Sequence, residues 1–301
     1  MSASGRKKMS NQRTRVGLVG AALLVMGAAP AAGAGLRYRA ADTLVARAAV
    51  VMDLVSGQTI FAKNPDSPMY PASTTKVMTA ILVIESGRLD ETVTVNAADV
   101  QVSGTRIGLS PGERITLRDL AYGLLLSSGN DAAQAIARNV AGSQERFVTW
   151  MNVKAIRLGC TNTHFANPHG LPDPEHYTTA RDLGRIMRYA MNLPEFRRIT
   201  ATRLYTSRSS WALRNFYNKN KLLARYPGTT GGKPGYTHVA QQTLVASARR
   251  ADHELVVVCL HSRGRALWTD AMRLFDLGFR RLASTAGASE ARAAETATGS
   301  R

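Results

Sequence analysis

Five polar side chains in three short segments have the types and spacings of an acyl-transfer site. Ser73-Thr74-Thr75-Lys76 sets a hydroxyl and an amine three residues apart, which on a helix puts them on one face, one turn apart. A serine hydroxyl is a poor nucleophile until a base takes its proton. A lysine amine can be that base once desolvation or a neighbouring cation lowers its pKa. The head of a helix also offers unpaired N–H groups to an oxyanion. Ser128-Gly129-Asn130 reads as a tight turn that aims two small polar side chains into a cleft. Lys233-Pro234-Gly235 sets a cation beside a residue with no side chain, where a ligand backbone can approach closely. Each segment alone has an ordinary reading, as an N-capping serine, a turn and a surface turn. The three together, once each and in this order, carry the inference.

The surrounding sequence supplies elements to hold them. Ala48 to Leu54 and Thr59 to Ala62 flank a Val55-Ser56-Gly57-Gln58 turn and read as a hairpin. Apolar residues at Val77, Met78, Ile81, Leu82 and Ile84 have helical spacing over 74–86, so Ser73 heads a helix. Stretches 93–95 and 102–109 read as short strands or turns. Thr116 opens a helix with Asp119 in place of the usual capping-box Glu. Ser127-Ser128-Gly129-Asn130 interrupts that helix, and further helices follow over 131–140, 147–158 and 179–191. Three strands then cover 231–236, 243–248 and 255–260, and an amphipathic helix closes at 266–282. Strands at both ends with helices between predict an α+β fold in which N- and C-terminal strands share one antiparallel sheet. Residues 284–301 lack an apolar period and are expected to be disordered.

At 301 residues, 45% of them hydrophobic, with 25 Gly and 11 Pro, the chain has ordinary globular composition. Arg6, Lys7, Lys8, Arg13 and Arg15 precede an apolar run from Val16 to Met26, and Ala32-Gly33-Ala34 offers a small-x-small cleavage site. That is the layout of a secretory signal peptide over 1–34, cleaved near Ala34. An uncleaved anchor is the alternative, and either one exports the catalytic part to the extracytoplasmic envelope. Residues 35–46 form a linker, and 47–283 the catalytic domain.

The formal charge is +18, and +13 remains without the five leader cations. The basic residues are spread along the chain and do not interleave with aromatics, which argues against nucleic acid. An anionic wall or membrane surface suits this field better, and solubility alone also accounts for it. Cys160 and Cys259 are too few for a disulfide framework, so free buried thiols are expected. The six histidines have no ligand spacing, and no phosphate loop follows a strand. No metal or cofactor is expected.

The three segments are similar to the Ser-x-x-Lys, Ser-x-Asn and Lys-Thr-Gly set of penicillin-binding proteins and serine β-lactamases. Residues 70–80 (Tyr70-Pro71-Ala72-Ser73-Thr74-Thr75-Lys76 onward) and 126–133 resemble the low-molecular-mass D-alanyl-D-alanine carboxypeptidases. So do Phe165 to Leu171 and His176 to Leu183. The resemblance covers about 47 to 282. It implies a β-lactamase/transpeptidase-like fold and a penicillin-sensitive D,D-carboxypeptidase that trims the pentapeptide of peptidoglycan. A monomer is expected. By the same resemblance, Ser73 is the nucleophile, Lys76 its base and Ser128 the proton relay. Asn130 and Lys233 bind substrate, Gly235 leaves room for it, and the N–H groups of Ser73 and Tyr236 form the oxyanion hole.

Pro234 departs from the pattern, because the family has a threonine there whose hydroxyl bonds the terminal carboxylate of the substrate. Losing one hydrogen bond to a charged group costs about 1.5–3 kcal/mol. Weaker binding of the terminal D-alanine is expected, with Thr237 as a substitute hydroxyl. Proline also demands an edge position for its strand. A cross-link endopeptidase would use the same residues. A β-lactamase would need a deacylating Glu, and Glu145, Glu175 and Glu195 are poor candidates. A non-enzymatic wall-binding protein would have lost the nucleophile.

Overall fold

The computed structural model describes residues 44–298. The leader and most of the linker lie outside the described residues. A five-stranded antiparallel sheet forms the centre. Its strands are β1 (Ala48–Asp53), β2 (Thr59–Lys63), β7 (Thr229–Thr237), β8 (Gln241–Arg250) and β9 (His253–Ser262), in the order β2-β1-β9-β8-β7. The ends of the chain therefore meet through β1 and β9, with Val50 opposite Val258 and Met52 opposite Val256. The expected α+β architecture, with N- and C-terminal strands in one sheet, is the architecture observed.

β1 and β9 are nearly all apolar because both faces of the sheet are covered. Successive side chains point to opposite faces, and the buried residues divide accordingly. Val50, Met52, Val256, Val258 and Leu260 join the core under the helical region. Ala49, Val51, Leu255, Val257 and Cys259 join a second core on the other face, with Leu267, Leu274 and Phe275. Each fully buried Val or Leu contributes about 1.5–3 kcal/mol, so this alternation holds both layers to one sheet.

The helical region contains α1 (Lys76–Glu85), α2 (Leu117–Tyr122), α3 (Asn130–Ala141), α4 (Gln144–Arg157), α5 (Ala180–Ala190) and α6 (Pro194–Ala201). Thr116 caps α2 by accepting the Asp119 N–H at 3.0 Å, as its capping signal predicts. Beyond α2 the chain loosens into a π-helical turn, Gly123–Ser127, which delivers Ser128. Such turns recur at functional sites. Two short hairpins flank this region: β3 (Thr92–Thr94) with β4 (Arg114–Thr116), and β5 (Leu204–Arg208) with β6 (Leu213–Tyr217).

Several expectations need correction. Only Thr92–Thr94 of the early stretches is a strand, and 102–109 is irregular chain held by side-chain hydrogen bonds. β5, β6 and α6 had no clear signal, because Leu204, Leu213 and Tyr217 are exposed and give the hairpin little apolar alternation. The closing helix α7 runs Ala266–Thr298 and does not stop near Leu282. Helix over 284–298 replaces the expected disorder. Ala-rich sequence forms helix through backbone propensity, without an apolar period.

Candidate active site

Ser73 lies in a short 3₁₀ turn, Ala72–Thr75, that runs directly into α1. Thr74 secures the turn by donating its hydroxyl to the Pro71 carbonyl at 2.7 Å. Ala72 adopts a left-handed φ of 50°, a strained conformation of the kind that clusters at functional sites. Lys76, one turn on, is fully buried. Its Nζ lies 3.1 Å from Ser73 Oγ, and it donates to Asn130 Oδ1 at 2.7 Å and to the His169 carbonyl at 2.6 Å.

The Ser128 turn contributes two side chains. Ser128 holds a left-handed φ of 67° at the end of the π-helical turn. Asn130 opens α3, with its amide Oδ1 on Lys76 and its Nδ2 donating to the Ser103 carbonyl at 2.7 Å. Asn130 therefore positions Lys76, while its Nδ2 keeps a second N–H beyond the one given to Ser103. Beside it, the buried Asp131 carboxylate accepts N–H groups of Ile107, Gly108 and Leu109. This fastens the 103–109 segment along the cleft.

A third support was not anticipated as part of the site. The segment Asn167–Leu171 packs against the Ser73 turn and supplies the His169 carbonyl to Lys76. Asn167 Oδ1 holds it by accepting the N–H groups of His169 and Gly170 at 3.3 and 2.7 Å. A main-chain carbonyl leaves no signature in residue type. His176 shares a hydrogen bond with Thr75 Oγ1 at 2.8 Å and accepts the Ala166 N–H at 3.0 Å. Burial pushes His169 down to about 3 and His176 down to about 4, so both rings are neutral near neutral pH. They serve as structural hydrogen-bonding groups, buried and not on the surface.

β7 forms the opposite wall. It is the edge strand, which is where Pro234 can lack an N–H without breaking an inner ladder. Thr200 covers the edge upstream by accepting the Gly232 N–H at 2.9 Å. Lys233 is fully buried and Pro234 half-buried. At Gly235 a Cβ would fall 2.7 Å from the Ser73 nitrogen and 2.5 Å from Thr243 Oγ1. Only glycine lets the strand come this close to Ser73. Tyr236 is exposed. Thr237 Oγ1 accepts the Ala240 N–H at 3.1 Å in the following turn, so that hydroxyl is partly engaged.

Electrostatics favour a neutral amine at Lys76. Burial depresses its pKa well below the ordinary lysine range, and the charges of Lys233 and then Lys219 push the same way, against Asp131. Burial, with help from Lys219, brings Lys233 down to about 7. A neutral Nζ has two protons and one lone pair. Asn130 Oδ1 and the His169 carbonyl can only accept, so they take the two protons and the lone pair is left for the Ser73 hydroxyl.

The cleft between these walls has a volume of about 950 Å³ and is lined by Ser73, Ser128, Pro234, Gly235 and Tyr236, with Thr105 opposite. Four cations also line it, Lys219, Lys221, Arg225 and Arg265, and no Asp or Glu does. The chain order gives no hint of these cations, which reach the cleft through the segment after β6 and the start of α7. The expected site residues therefore converge: Ser73, Lys76, Ser128 and Asn130 on one wall, Lys233, Gly235 and Tyr236 on the other. A second hollow, of about 340 Å³, contains Arg181, Arg185 and Arg188. Their guanidinium groups are already taken by Asp66, Asp182 and the Leu54 and Val55 carbonyls. Among the described residues no cluster of His, Cys, Asp or Glu is placed to hold a metal. Cys160 and Cys259 are free, buried thiols.

Comparison with known proteins was made on this geometry. Residues 37–264 match the D-alanyl-D-alanine carboxypeptidase family. D-alanyl-D-alanine carboxypeptidase DacB2 of Mycobacterium tuberculosis is 40% identical over 236 residues, covering 76% of this chain and 81% of that protein. A crystal structure of a D-alanyl-D-alanine carboxypeptidase from the same organism superposes with a TM-score of 0.76 at 39% identity, over 79% of this chain and 92% of that one. A Streptomyces DD-transpeptidase superposes with a TM-score of 0.75 at 33% identity, over 79% and 98% of the two chains.

Proposed function

The chain belongs to the D-alanyl-D-alanine carboxypeptidase family of serine peptidases, and from that premise we propose how its own residues carry the reaction and on what. Ser73 Oγ attacks the carbonyl between two D-alanines at the end of a peptidoglycan stem peptide. Lys76 accepts the hydroxyl proton as the new C–O bond forms. The N–H groups of Ser73 and Tyr236 stabilise the oxyanion, in the gap that Gly235 keeps open. The C–N bond then breaks, and the proton passes by way of Ser128 to the departing amine of D-alanine. Water attacks the Ser73 ester, releases the shortened peptide as a carboxylate, and returns a proton to Ser73 Oγ. Asn130 and the His169 carbonyl hold Lys76 in place throughout.

Lys233 supplies positive charge to the substrate side and helps hold Lys76 neutral. Arg265, which lines the cleft with Pro234, takes part of the carboxylate recognition that the Pro234 ring cannot give. The observation that carries this reading is the buried Lys76 amine, 3.1 Å from Ser73 Oγ, with its remaining neighbours all acceptors. β-Lactams acylate Ser73 in the same way. Their release is slow, because no carboxylate lines the cleft to activate water as a β-lactamase requires.

The protein works as a monomer in the extracytoplasmic envelope, where its positive charge suits anionic polymers. Among the described residues no helix is long and apolar enough to cross a membrane. The test is D-alanine release from a pentapeptide muropeptide by the parent protein and by Ser73→Ala. Release should be lost in the variant, and equal release from both would overturn the reading.

A further inference from the structure

The second hollow, of about 340 Å³, lies between the turn joining β1 to β2 and the polar face of α5. It shares no lining residue with the catalytic cleft. β2 and β7 are opposite edges of the sheet, four strand spacings or about 19 Å apart. The sequence of α5 dictates a cationic wall. Arg181, Arg185 and Arg188 recur at spacings of four and three, which puts them on one face of the helix. Leu183, Ile186, Met187 and Ala190 bury the other face in the core. No Asp or Glu lines the hollow.

The acceptors that anchor these arginines come from outside the hollow, and they do not exhaust the five N–H groups of a guanidinium. Arg188 donates from Nε to the Leu54 carbonyl at 2.8 Å and from Nη2 to the Val55 carbonyl at 2.6 Å. Both acceptors are neutral, so its charge has no carboxylate partner among the described residues, and its Nη1–Nη2 fork stays open. Arg185 uses only Nη1, on the Gly159 carbonyl at 2.7 Å and Asp182 Oδ1 at 2.8 Å, which leaves the fork of Nε and Nη2. The other Asp182 oxygen already accepts the Asn162 N–H and the Thr163 hydroxyl at 2.9 and 3.0 Å. Gly57 makes room for Arg188. It has a φ of 76°, and a Cβ there would fall 3.1 Å from Arg188 Cζ and Nη1. The turn thus holds this cation in place before any ligand arrives, which lowers the ordering cost of binding.

We propose that this hollow is a binding site for a phosphate group, free or esterified, with Arg185 and Arg188 as its main donors. A guanidinium fork matches two oxygens of an oxyanion. A carboxylate has only two oxygens and fills one fork. A phosphate carries its oxygens tetrahedrally and can meet two forks from different sides. The Ser56 and Thr59 hydroxyls and the Asn192 amide also line the hollow and add polar groups at its rim. The site is independent of the reaction at Ser73 and holds its ligand without making or breaking a covalent bond. Being electrostatic and partly exposed, it is weakened by salt.

The test titrates inorganic phosphate and glycerol 3-phosphate into the protein by calorimetry at low salt, and follows Tm in parallel. Both should bind, and each should raise Tm by about 2–5 °C at tenfold excess over its Kd. The double variant Arg185→Gln, Arg188→Gln should lose at least about tenfold in affinity. Asn192 is exposed and makes no side-chain hydrogen bond among the described residues, so Asn192→Asp adds a repelling charge without removing an anchor. It should weaken binding about three- to tenfold even if the double variant fails to fold. Penicillin acylation should stay within about twofold of the parent rate in folded variants and in the presence of phosphate. Vesicles of phosphatidylglycerol distinguish the sources. Vesicle binding that glycerol 3-phosphate displaces assigns the phosphate to a lipid headgroup, and soluble binding without vesicle binding assigns it to a free or polymer-borne phosphate. The site is wrong if neither soluble phosphate binds the parent protein, or if Asn192→Asp binds both as tightly as the parent. It is equally wrong if penicillin acylation of Ser73 abolishes phosphate binding, which would place the anion in the catalytic cleft.

Discussion

Gly170 and Ala72 are in contact so close that a Cβ on Gly170 would sit 1.9 Å from the Ala72 carbonyl oxygen. This contact docks the Asn167–Leu171 segment against the Ser73 turn and sets the His169 carbonyl 2.6 Å from Lys76 Nζ. Gly170 also has a φ of 89°, which disfavours any side chain there. Gly170→Ala is therefore expected to cost about 2–4 kcal/mol, lowering Tm by roughly 5–10 °C. Penicillin acylation of the folded fraction should slow, as the base loses an anchor. An unchanged Tm and an unchanged acylation rate would remove this segment from the account.

Lys219 couples the titration of the two buried lysines. Its charge lowers the pKa of Lys76 and of Lys233. In the proposed mechanism acylation needs Lys76 neutral, which sets the acid limb of the rate profile, and Lys233 protonated, which sets an alkaline limb near 7 in the free enzyme. Removing a neighbouring cation raises the pKa of a lysine. Lys219→Ala should move both limbs of the penicillin acylation profile to higher pH. A shift of either limb to lower pH would contradict the coupling.

Burying Lys233 is unfavourable for stability. Its folded pKa of about 7 lies below the ordinary value of 10.5, so the unfolded chain binds more protons between those values. Stability from this group rises as pH increases from about 7 toward the ordinary lysine range. Lys233→Met has similar length and no charge. It should raise Tm at neutral pH by about 3–6 °C and flatten the pH dependence of Tm over that window, while D-alanine release falls. A destabilised Lys233→Met protein at neutral pH would mean that the cation also holds the fold together.

In the proposed mechanism Pro234, on the β7 edge, is the substrate-side weak point. Pro234→Thr keeps the strand position and adds both an N–H and a hydroxyl. A hydrogen bond to the terminal carboxylate is worth about 1.5–3 kcal/mol, so KM for a D-alanine-terminated peptide should fall about tenfold or more. If neither KM nor turnover improves, the carboxylate is held elsewhere, with Arg265 the first place to look.

Much of this was legible in the sequence, for physical reasons that can be named. β1, β8 and β9 read as strands because both faces of the sheet are buried and the apolar runs are nearly unbroken. Ser73 and Lys76 could be paired because the helical repeat converts a spacing of three into one face. The His169 carbonyl was hidden because a main-chain acceptor is independent of residue type. Lys219 and Arg265 were hidden because tertiary packing, not spacing, brings them to the cleft. The β5–β6 hairpin escaped because its outward residues include Leu204, Leu213 and Tyr217, which blurs the alternation of a half-buried strand. The helix through Thr298 escaped because alanine favours helix without giving an apolar stripe.

The central claim is that Ser73 is acylated with Lys76 as its base, and the rate of covalent penicillin attachment measures it most directly. Intact-protein and peptide mass spectrometry should place one adduct on the peptide containing Ser73. Lys76→Arg, which keeps a charge that cannot be given up, should reduce the acylation rate of the folded protein about 10²- to 10⁴-fold. An adduct on another residue, or a Lys76→Arg protein that is acylated at the parent rate, would contradict the account.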